Sequence, residues 1–204
     1  MVHIAEGVLP IYLVILGWIF TFIFLAISVN NLKKAPEKIS LTSLFTCLCF
    51  IASLIHIPIG PTNVHLTLNG ITGLILGYVS YLAIFIALFF QSIFFNFGGL
   101  LVLGINTFNI AFPALIFYFL FKKFIYTDFK ILQFIIGFIA GFGSVILSII
   151  LAALELKIAN QEFSNIVNLA VKTYIPVGIL EGFITGIILV TLKPFLKSFF
   201  GGKN

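Results

Sequence analysis

Long apolar runs with almost no charge dominate this chain, and they restrict it to a fold whose backbone is hydrogen-bonded within each segment. Several runs reach the roughly 20 residues that a helix needs to cross a bilayer, and they show no strand-like alternation. With 61% hydrophobic and 8% charged residues, the chain has more apolar surface than a soluble domain can bury. The sequence therefore predicts an all-α membrane protein, with residues 1–204 forming a single integral membrane domain.

Five runs are predicted to be membrane-spanning helices: residues 8–29, 40–57, 105–121, 131–154 and 175–192. A further apolar block, residues 66–95, is too long for one comfortable crossing. Gly70, Gly73 and Gly77 interrupt this block, so we expect two short helices that meet near Gly77. They would form either two crossings or one re-entrant pair. Two crossings give a bundle of about seven transmembrane helices.

The lysines predict the orientation of the bundle. Nine of the 11 basic residues, all lysines, form three clusters that follow predicted spans, and the positive-inside rule makes these clusters cytoplasmic. Counting spans then places the amino terminus outside and the carboxy terminus in the cytoplasm of a cell inner (plasma) membrane. The net charge of +5 is explained in this way, without a nucleic-acid partner. We also expect an interfacial helix over the external residues 157–172.

The opening stretch MVHIAEGVLP places a histidine beside the terminal amine, on the external side. An amine, a deprotonated amide and an imidazole can bind one metal as fused chelate rings, and Cu(II) and Ni(II) favour such square-planar nitrogen sites. Without Met1, the Val2 amine with the His3 amide and imidazole gives three nitrogens, and His65 is the natural fourth. With Met1 retained, the terminal amine, two amides and the His3 imidazole already give four.

Less specific interpretations of the same residues stay open at this point. His3 is also compatible with a frayed, solvated chain end. His65 is compatible with a turn or a helix start, and His56 with an interfacial side chain that has an apolar body and a wet tip. Glu181, an acid in the last predicted span, is expected to pair with a hydroxyl such as that of Thr185.

Four stretches that occur in order, between residue 3 and residue 190, form a joint pattern: MVHIAEGVLP, GPTNVHLTLNGITGLILG, FGGLLVLGINTFNIAFPA and IPVGILEGFITGIILV. Taken together they resemble the CbiM/NikM family, the substrate-specific membrane subunits of cobalt and nickel energy-coupling-factor (ECF) transporters. The family's histidine usually stands at position 2 and its loop usually reads Ser-His-Pro-Thr-Gly, so this chain departs from the pattern twice.

The resemblance implies a seven-helix fold whose amino terminus tucks into the external side and chelates Co²⁺ or Ni²⁺ as the transported substrate. The metal ligands would come from Met1 or Val2, from His3 and from His65. A supporting polar shell would contain Asn63, Asn106 and Thr107. The implied partners are a transmembrane coupling (T) subunit, two ATPase subunits, membrane lipids and, in some systems, a small accessory membrane subunit.

Smooth glycine faces, at Gly17 and at Gly137, Gly141 and Gly143, would serve either partner docking or internal packing. No GxxxxGK[ST] phosphate loop is present, so ATP hydrolysis is assigned to separate subunits, and we assign no catalytic residue and no catalytic cofactor. Two rival functions remain. One is a vitamin-type ECF subunit whose cavity would be lined by some of the 26 phenylalanines; the other is an intramembrane metalloenzyme.

Overall fold

The computed structural model describes residues 3–59, 62–125, 127–160 and 164–200, and most of them are helical. The described part holds seven α-helices and one antiparallel β-hairpin. Short 3₁₀ turns at Pro36–Lys38 and Gly77–Val79 lead into α2 and α4. The elements, in chain order, are α1 (Ile11–Lys34), α2 (Ile39–Ala52), β1 (His56–Ile59), β2 (Thr62–His65), α3 (Asn69–Leu76), α4 (Ser80–Phe95), α5 (Leu103–Phe121), α6 (Lys130–Ala159) and α7 (Ser164–Phe200).

Five helical segments of the described chain are long and apolar enough to cross a bilayer. Large apolar side chains on the outer surface of α1, such as those of Ile11 and Phe22, are more than half exposed. Such a surface is stable against lipid and not against water. The protein is therefore a multi-pass membrane protein. The segments are Ile11–Lys34, Asn69–Phe95, Leu103–Phe121, Lys130–Ala159 and Ala170–Leu192.

The block at residues 66–95 forms two helices that meet at Gly77, as predicted. Gly77 has φ +59°, in the left-handed region where glycine is favoured, and here the chain reverses. The chain after α4 returns to the hairpin that precedes α3, since the Phe97 ring stacks on the ring of His65. Residues 66–95 therefore begin and end at the same side of the bundle, so Asn69–Phe95, although long and apolar enough for one crossing, turns back at Gly77 instead.

Helix α3 lies directly on α5, and the two run in the same direction. The Asn69 side-chain amide donates to the carbonyl of Ile110 at 2.9 Å. One turn later, a Cβ at Gly73 would lie 2.3 Å from the carbonyl oxygen of Ala114. Only glycine allows this backbone approach, which brings the loop before α3 down into the bundle core.

The remaining glycine faces pack inside the protein. A Cβ at Gly141 would lie 2.6 Å from the carbonyl oxygen of Glu181, and one at Gly143 would lie 2.2 Å from the Phe117 ring. These contacts, with that of Gly137 on Gly186, confirm internal packing for the face on α6. A Cβ at Gly17 would lie 2.4 Å from the Cβ of Ile105, so this glycine also packs internally and is not a docking face.

Two predictions about element boundaries were wrong. The span predicted to end at residue 57 ends at Ala52, because Pro58 disfavours helix in the residue before it and the chain turns into β1. The separate interfacial helix over residues 157–172 is also absent from the described residues. Instead α6 continues to Ala159 and α7 begins at Ser164, so both helices extend past the apolar spans.

Candidate metal centre

Three histidines gather at one end of the bundle. The register of the hairpin sets His56 opposite His65, and their ring centroids are 6.3 Å apart at 72°. His3 comes from the start of the chain and stacks on His65, with centroids 5.0 Å apart and 24° between the rings. The structure thus brings together the two histidines expected to bind metal, while His56 lies at their edge and is exposed.

Phe97 lies against all three histidines and received no role from the sequence. Its ring is parallel to that of His65, with centroids 5.9 Å apart and 2° between the planes, and it stacks on His3 at 6.0 Å. It meets His56 edge-on at 5.8 Å. An aromatic wall on this side excludes water from the imidazoles and fixes the planes of their rings.

His65 presents one free imidazole nitrogen. The side chain is 1% exposed, and its Nδ1 lies 3.0 Å from the carbonyl oxygen of Leu66. Because a carbonyl only accepts hydrogen bonds, Nδ1 carries the proton and Nε2 carries the lone pair. Nε2 is buried and has no hydrogen-bond partner in the described part of the chain. Burial lowers the pKa of His65 to about 4, so the imidazole is neutral at physiological pH and is ready to bind metal.

His3 is buried beside it and is also held neutral. Burial first, and the neighbouring His65 second, lower the pKa of His3 well below its ordinary value. Its Nε2 likewise finds no hydrogen-bond partner among the residues that the structure describes. Two neutral imidazoles with unpaired nitrogens, stacked in a buried space, are a costly arrangement unless something binds there.

Asn106 fixes the amino-terminal segment to the start of α5. Its Oδ1 accepts from the Ile4 backbone amide at 2.9 Å, and its Nδ2 donates to the Ile4 carbonyl at 3.0 Å. A side-chain amide matches the backbone N–H and C=O of one residue, so this pair works like a single rung of a β-ladder. The residue after His3 is therefore anchored, and the alternative of a frayed chain end does not describe residues 3 and 4.

Two consecutive glycines form the floor on which this segment lies. Gly98 and Gly99 have φ +77° and +107°. The Glu6 backbone amide donates to the Gly98 carbonyl at 3.0 Å, and the Glu6 carboxylate accepts from the Leu101 amide at 2.7 Å. A Cβ at Gly99 would lie 2.3 Å from that carboxylate, so a side chain cannot be added there without displacing Glu6. A Gly-Gly pair is a common turn signal, but the sequence alone does not reveal which segment packs on it.

Glu181 supports the histidine loop from α7, and the prediction that it pairs with a hydroxyl is confirmed, although the hydroxyl is that of Thr67 and not that of Thr185. The carboxylate is 0% exposed. It accepts from the Thr67 and Leu68 backbone amides, the latter at 2.9 Å, and from the Thr67 hydroxyl at 2.9 Å. These amides precede α3, whose first N–H groups have no partner inside the helix, so an acid is favoured there. The Thr185 hydroxyl has no partner among the described residues.

The other residues expected at the site lie as follows. The Thr107 hydroxyl donates to the Leu103 carbonyl of its own helix at 2.7 Å. The Asn63 backbone pairs with Pro58 in the hairpin, and its side chain lies outside the described residues. Met1 and Val2, the expected source of the amine, also lie outside them.

The donor set of this site is rich in nitrogen and poor in acid. No group of three His, Cys, Asp or Glu side chains in the described residues is placed to hold a metal ion. A metal held between His3 and His65 therefore needs further donors, and the backbone nitrogen of His3 is adjacent to its own imidazole. Such an all-nitrogen set suits Ni(II), Cu(II) and Co(II) better than Mg²⁺ or Ca²⁺, which prefer oxygen.

Comparisons with known proteins extend over nearly the whole chain. Residues 3–198 match the family model CbiM, described as "Cobalt uptake substrate-specific transmembrane region". A Haemophilus influenzae protein named "Putative metal transport protein" is 35% identical over 196 residues, which cover 95% of this chain and 94% of that protein. An Anoxybacillus flavithermus protein named "Cobalt transport protein CbiM" is 27% identical, over 96% of this chain and 83% of that protein.

The fold also matches a solved structure titled "Crystal Structure of an Truncated Transition metal Transporter". The TM-score is 0.77 at 20% sequence identity, and the match covers 96% of this chain and 98% of that one. At this identity the likeness concerns the fold alone.

Proposed function

Because the chain belongs to the CbiM family of substrate-specific transmembrane proteins, we propose that it captures Co²⁺ or Ni²⁺ with high affinity outside the cell. It then passes the ion inward as the substrate-binding subunit of an ATP-driven ECF-type importer. The observation that carries this proposal is the buried, stacked pair of His3 and His65, in which Nε2 of His65 has no hydrogen-bond partner among the described residues. The pair has the ligand chemistry that these cations prefer.

The ligands that the protein itself supplies to the metal are all nitrogens. His3 contributes its backbone amide and imidazole, and His65 contributes Nε2, whose lone pair is free because Nδ1 donates to the Leu66 carbonyl. The terminal amine completes a four-nitrogen set, from Val2 if Met1 is removed. If Met1 is retained, the terminal amine, two amides and the His3 imidazole fill the plane and leave His65 beside it. Asn63, Asn106 and Thr107 form the polar shell, in which the clamp on Ile4 keeps the chelating segment in place.

The site opens to the outside. The lysine clusters support a cytoplasmic carboxy terminus and an external amino terminus in a plasma membrane, with about seven crossings formed by a single membrane domain of residues 1–204. In this topology the metal sheds its water at the external surface and meets the histidines directly. Docking of the amino-terminal segment on Gly98 and Gly99 then closes the site.

Energy for transport comes from other subunits. The family to which the chain belongs is a transporter component and not an enzyme, and the sequence carries no phosphate-binding loop. A transmembrane coupling subunit and two ATPase subunits therefore drive the inward step, with a small accessory membrane subunit in some assemblies. Membrane lipids cover the exposed apolar faces of the bundle.

The space beside the histidines argues against a vitamin as the substrate. The cavity that His65 lines has a volume of about 10 Å³. Sites for small organic ligands are typically about 300–1,000 Å³. A bare ion or a water molecule fits in such a space, whereas a ring system does not.

Metal titration of the purified, untagged protein tests the proposal, with the intact mass recorded on the same sample. We expect one equivalent of Ni²⁺ or Co²⁺ to bind with a change in visible absorption. His3→Ala abolishes this binding, and an extension added before Met1 does the same because it blocks the terminal amine. His56→Ala is the matched control. Because His56 lies at the edge of the pair, this variant should keep most of the metal binding.

Each alternative has its own signature in this experiment. If neither metal binds, capture of these cations is refuted and the vitamin-type subunit becomes the leading function. If His56→Ala is the damaging variant and His3→Ala is not, the ligands are wrong. The mass then separates the two forms of the site. If protein lacking Met1 needs His65 to bind metal, the ligands are the Val2 amine, the His3 amide and imidazole, and His65. If protein retaining Met1 binds metal without His65, the ligands are the terminal amine, two amides and the His3 imidazole.

A further inference from the structure

A cavity of about 10 Å³ lies next to His65, and Gln91 lines it from α4. The cavity is close to the smallest volume that holds one water molecule, about 10–15 Å³. Two of the four polar side chains that line it are already satisfied: the Thr67 hydroxyl bonds Glu181, and the Cys49 sulfur bonds the Thr72 hydroxyl at 3.1 Å. Two groups are exceptions, and both belong to residues that line this space.

The exceptions are Oε1 of Gln91 and Nε2 of His65. Both atoms are buried without a hydrogen-bond partner in the described chain. Gln91 is 3% exposed. A buried amide oxygen that gives up its bonds to water costs about 1–3 kcal/mol when it finds no replacement. An apolar side chain would fill the same position at no such cost, so a glutamine here indicates a ligand that donates to it.

Gln91 is also held rigidly with respect to the histidines. It lies near the end of α4, and its backbone carbonyl accepts from the Phe97 amide at 3.3 Å. Phe97 in turn stacks on both His3 and His65. The backbone of Gln91 is therefore linked, through Phe97, to the two imidazole rings that are proposed to bind the metal.

We propose that Gln91 holds one water molecule in this cavity, and that this water gives the captured metal an oxygen donor outside the plane of its nitrogen ligands. Before capture, the water donates one hydrogen to Gln91 Oε1 and the other to His65 Nε2. After capture, the metal occupies the Nε2 lone pair, so the water gives up its bond to Nε2 and moves off that axis; its oxygen then faces the metal while it still donates to Gln91. The inference rests on the proposed function, because it assigns a residue to the same metal site.

The fifth donor affects which metal is preferred. Square-planar Ni(II) gains little from a ligand above its plane, whereas high-spin Co(II) readily accepts five ligands. Gln91 therefore acts as a specificity-determining residue that shifts the site from Ni²⁺ towards Co²⁺.

Spectroscopy of the copper-loaded protein tests the water directly. Cu²⁺ is the probe, and electron spin-echo modulation in D₂O detects deuterons of a metal-bound water. We expect strong deuterium modulation in the wild-type protein and its loss in Gln91→Leu. Gln133→Leu is the matched control: Gln133 is also a buried glutamine with an unpaired Oε1, but it bonds the Ile125 carbonyl, far from the histidines. It should keep the modulation.

Competition titrations give the second readout. Gln91→Leu should change the ratio of the Co²⁺ and Ni²⁺ dissociation constants about tenfold or more in favour of Ni²⁺, which corresponds to about 1.4 kcal/mol. Gln133→Leu should leave the ratio unchanged. If Gln91→Leu does not fold, Gln91→Met keeps the length of the side chain without its acceptor, and the wild-type modulation stands by itself as a test.

The possible failures are distinguishable. Weak modulation in metal-loaded wild-type protein, or equal modulation in the Gln91 variants, overturns the role of Gln91 while metal capture stands. An unchanged Co²⁺ to Ni²⁺ ratio overturns the specificity role. If the wild-type protein binds none of the three metals, the proposed function fails and this inference fails with it.

Discussion

Replacing Glu181 should destabilise the protein more than any comparable change on the same face of α7. The carboxylate is fully buried and accepts from the backbone amides of Thr67 and Leu68. Glu181→Met keeps the approximate volume of the side chain and removes both acceptor oxygens. Glu181→Gln keeps one of the two acceptor oxygens. Its amide nitrogen then faces a backbone N–H, and two donors cannot form a hydrogen bond with each other.

The magnitude follows from the number of donors left without a partner. The Thr67 hydroxyl also bonds Asn69 Oδ1 at 3.1 Å, so it keeps a partner in the variants. The two backbone amides do not, and each buried unsatisfied donor costs about 1–3 kcal/mol. We therefore expect a loss of about 2–6 kcal/mol in Glu181→Met and roughly half of that in Glu181→Gln. For a chain of this size, a loss of about 2 kcal/mol, the lower bound for Glu181→Met, lowers the melting temperature by about 4 °C or more.

Thermal unfolding in detergent, followed by circular dichroism, measures the series. Thr185→Val is the matched control, because Thr185 lies one turn further along α7, is equally buried and has a hydroxyl without a partner in the described residues. It should melt within about 2 °C of the wild type, as expected when no hydrogen bond is broken. A melting temperature for Glu181→Met within that same margin would refute the reasoning, as would an equal loss in Thr185→Val.

Three further predictions concern the amino-terminal segment. His3→Ala should weaken nickel binding by more than about 100-fold, beyond the roughly 10–100-fold that changes outside the ligand shell produce, while His56→Ala changes it by less than about tenfold; isothermal titration distinguishes the two. Gly99→Ala should destabilise docking of the segment by more than Gly7→Ala. Both glycines have a positive φ, but only a Cβ at Gly99 would clash, since nothing lies within 4 Å of a Cβ at Gly7. Equal protection from hydrogen exchange at residues 4–6 in both variants would contradict this. Asn106→Leu removes both bonds to the Ile4 peptide and should speed that exchange and reduce metal affinity, with a melting temperature close to that of the wild type.

Much of the helical framework was predictable because the apolar runs are long. Runs of this length and hydrophobicity leave the backbone few alternatives to helix in a membrane, and Gly77 marks the reversal between α3 and α4 as expected. The β-hairpin was not predicted, since the apolar pattern continues past Ala52 and only Pro58 signals that the helix has ended. Helix ends in general depend on local caps and breakers more than on hydrophobicity.

The meeting of His3 with His65 and the position of Asn106 beside them were predictable, and most of the other surroundings were not. His3 stood out because its chemistry depends on residues next to it in sequence, namely the terminal amine and the amide. Phe97, Gln91 and the partner of Glu181 depend on contacts between distant segments, and no local pattern reveals them. Gln91 in particular lies in an apolar run, where a single glutamine is indistinguishable from a lipid-facing polar residue until the helix is packed.

The clamp of Asn106 on Ile4 has a consequence for the biogenesis of the protein. The two residues are separated by 102 positions in the chain. The amino-terminal segment is synthesised first, yet its dock does not exist until α5 has been made, and contacts between such distant residues form late in folding. The newborn amino-terminal segment therefore stays undocked until about half of the protein has followed it. Under the proposed function, the metal site cannot close before the bundle around it has been built.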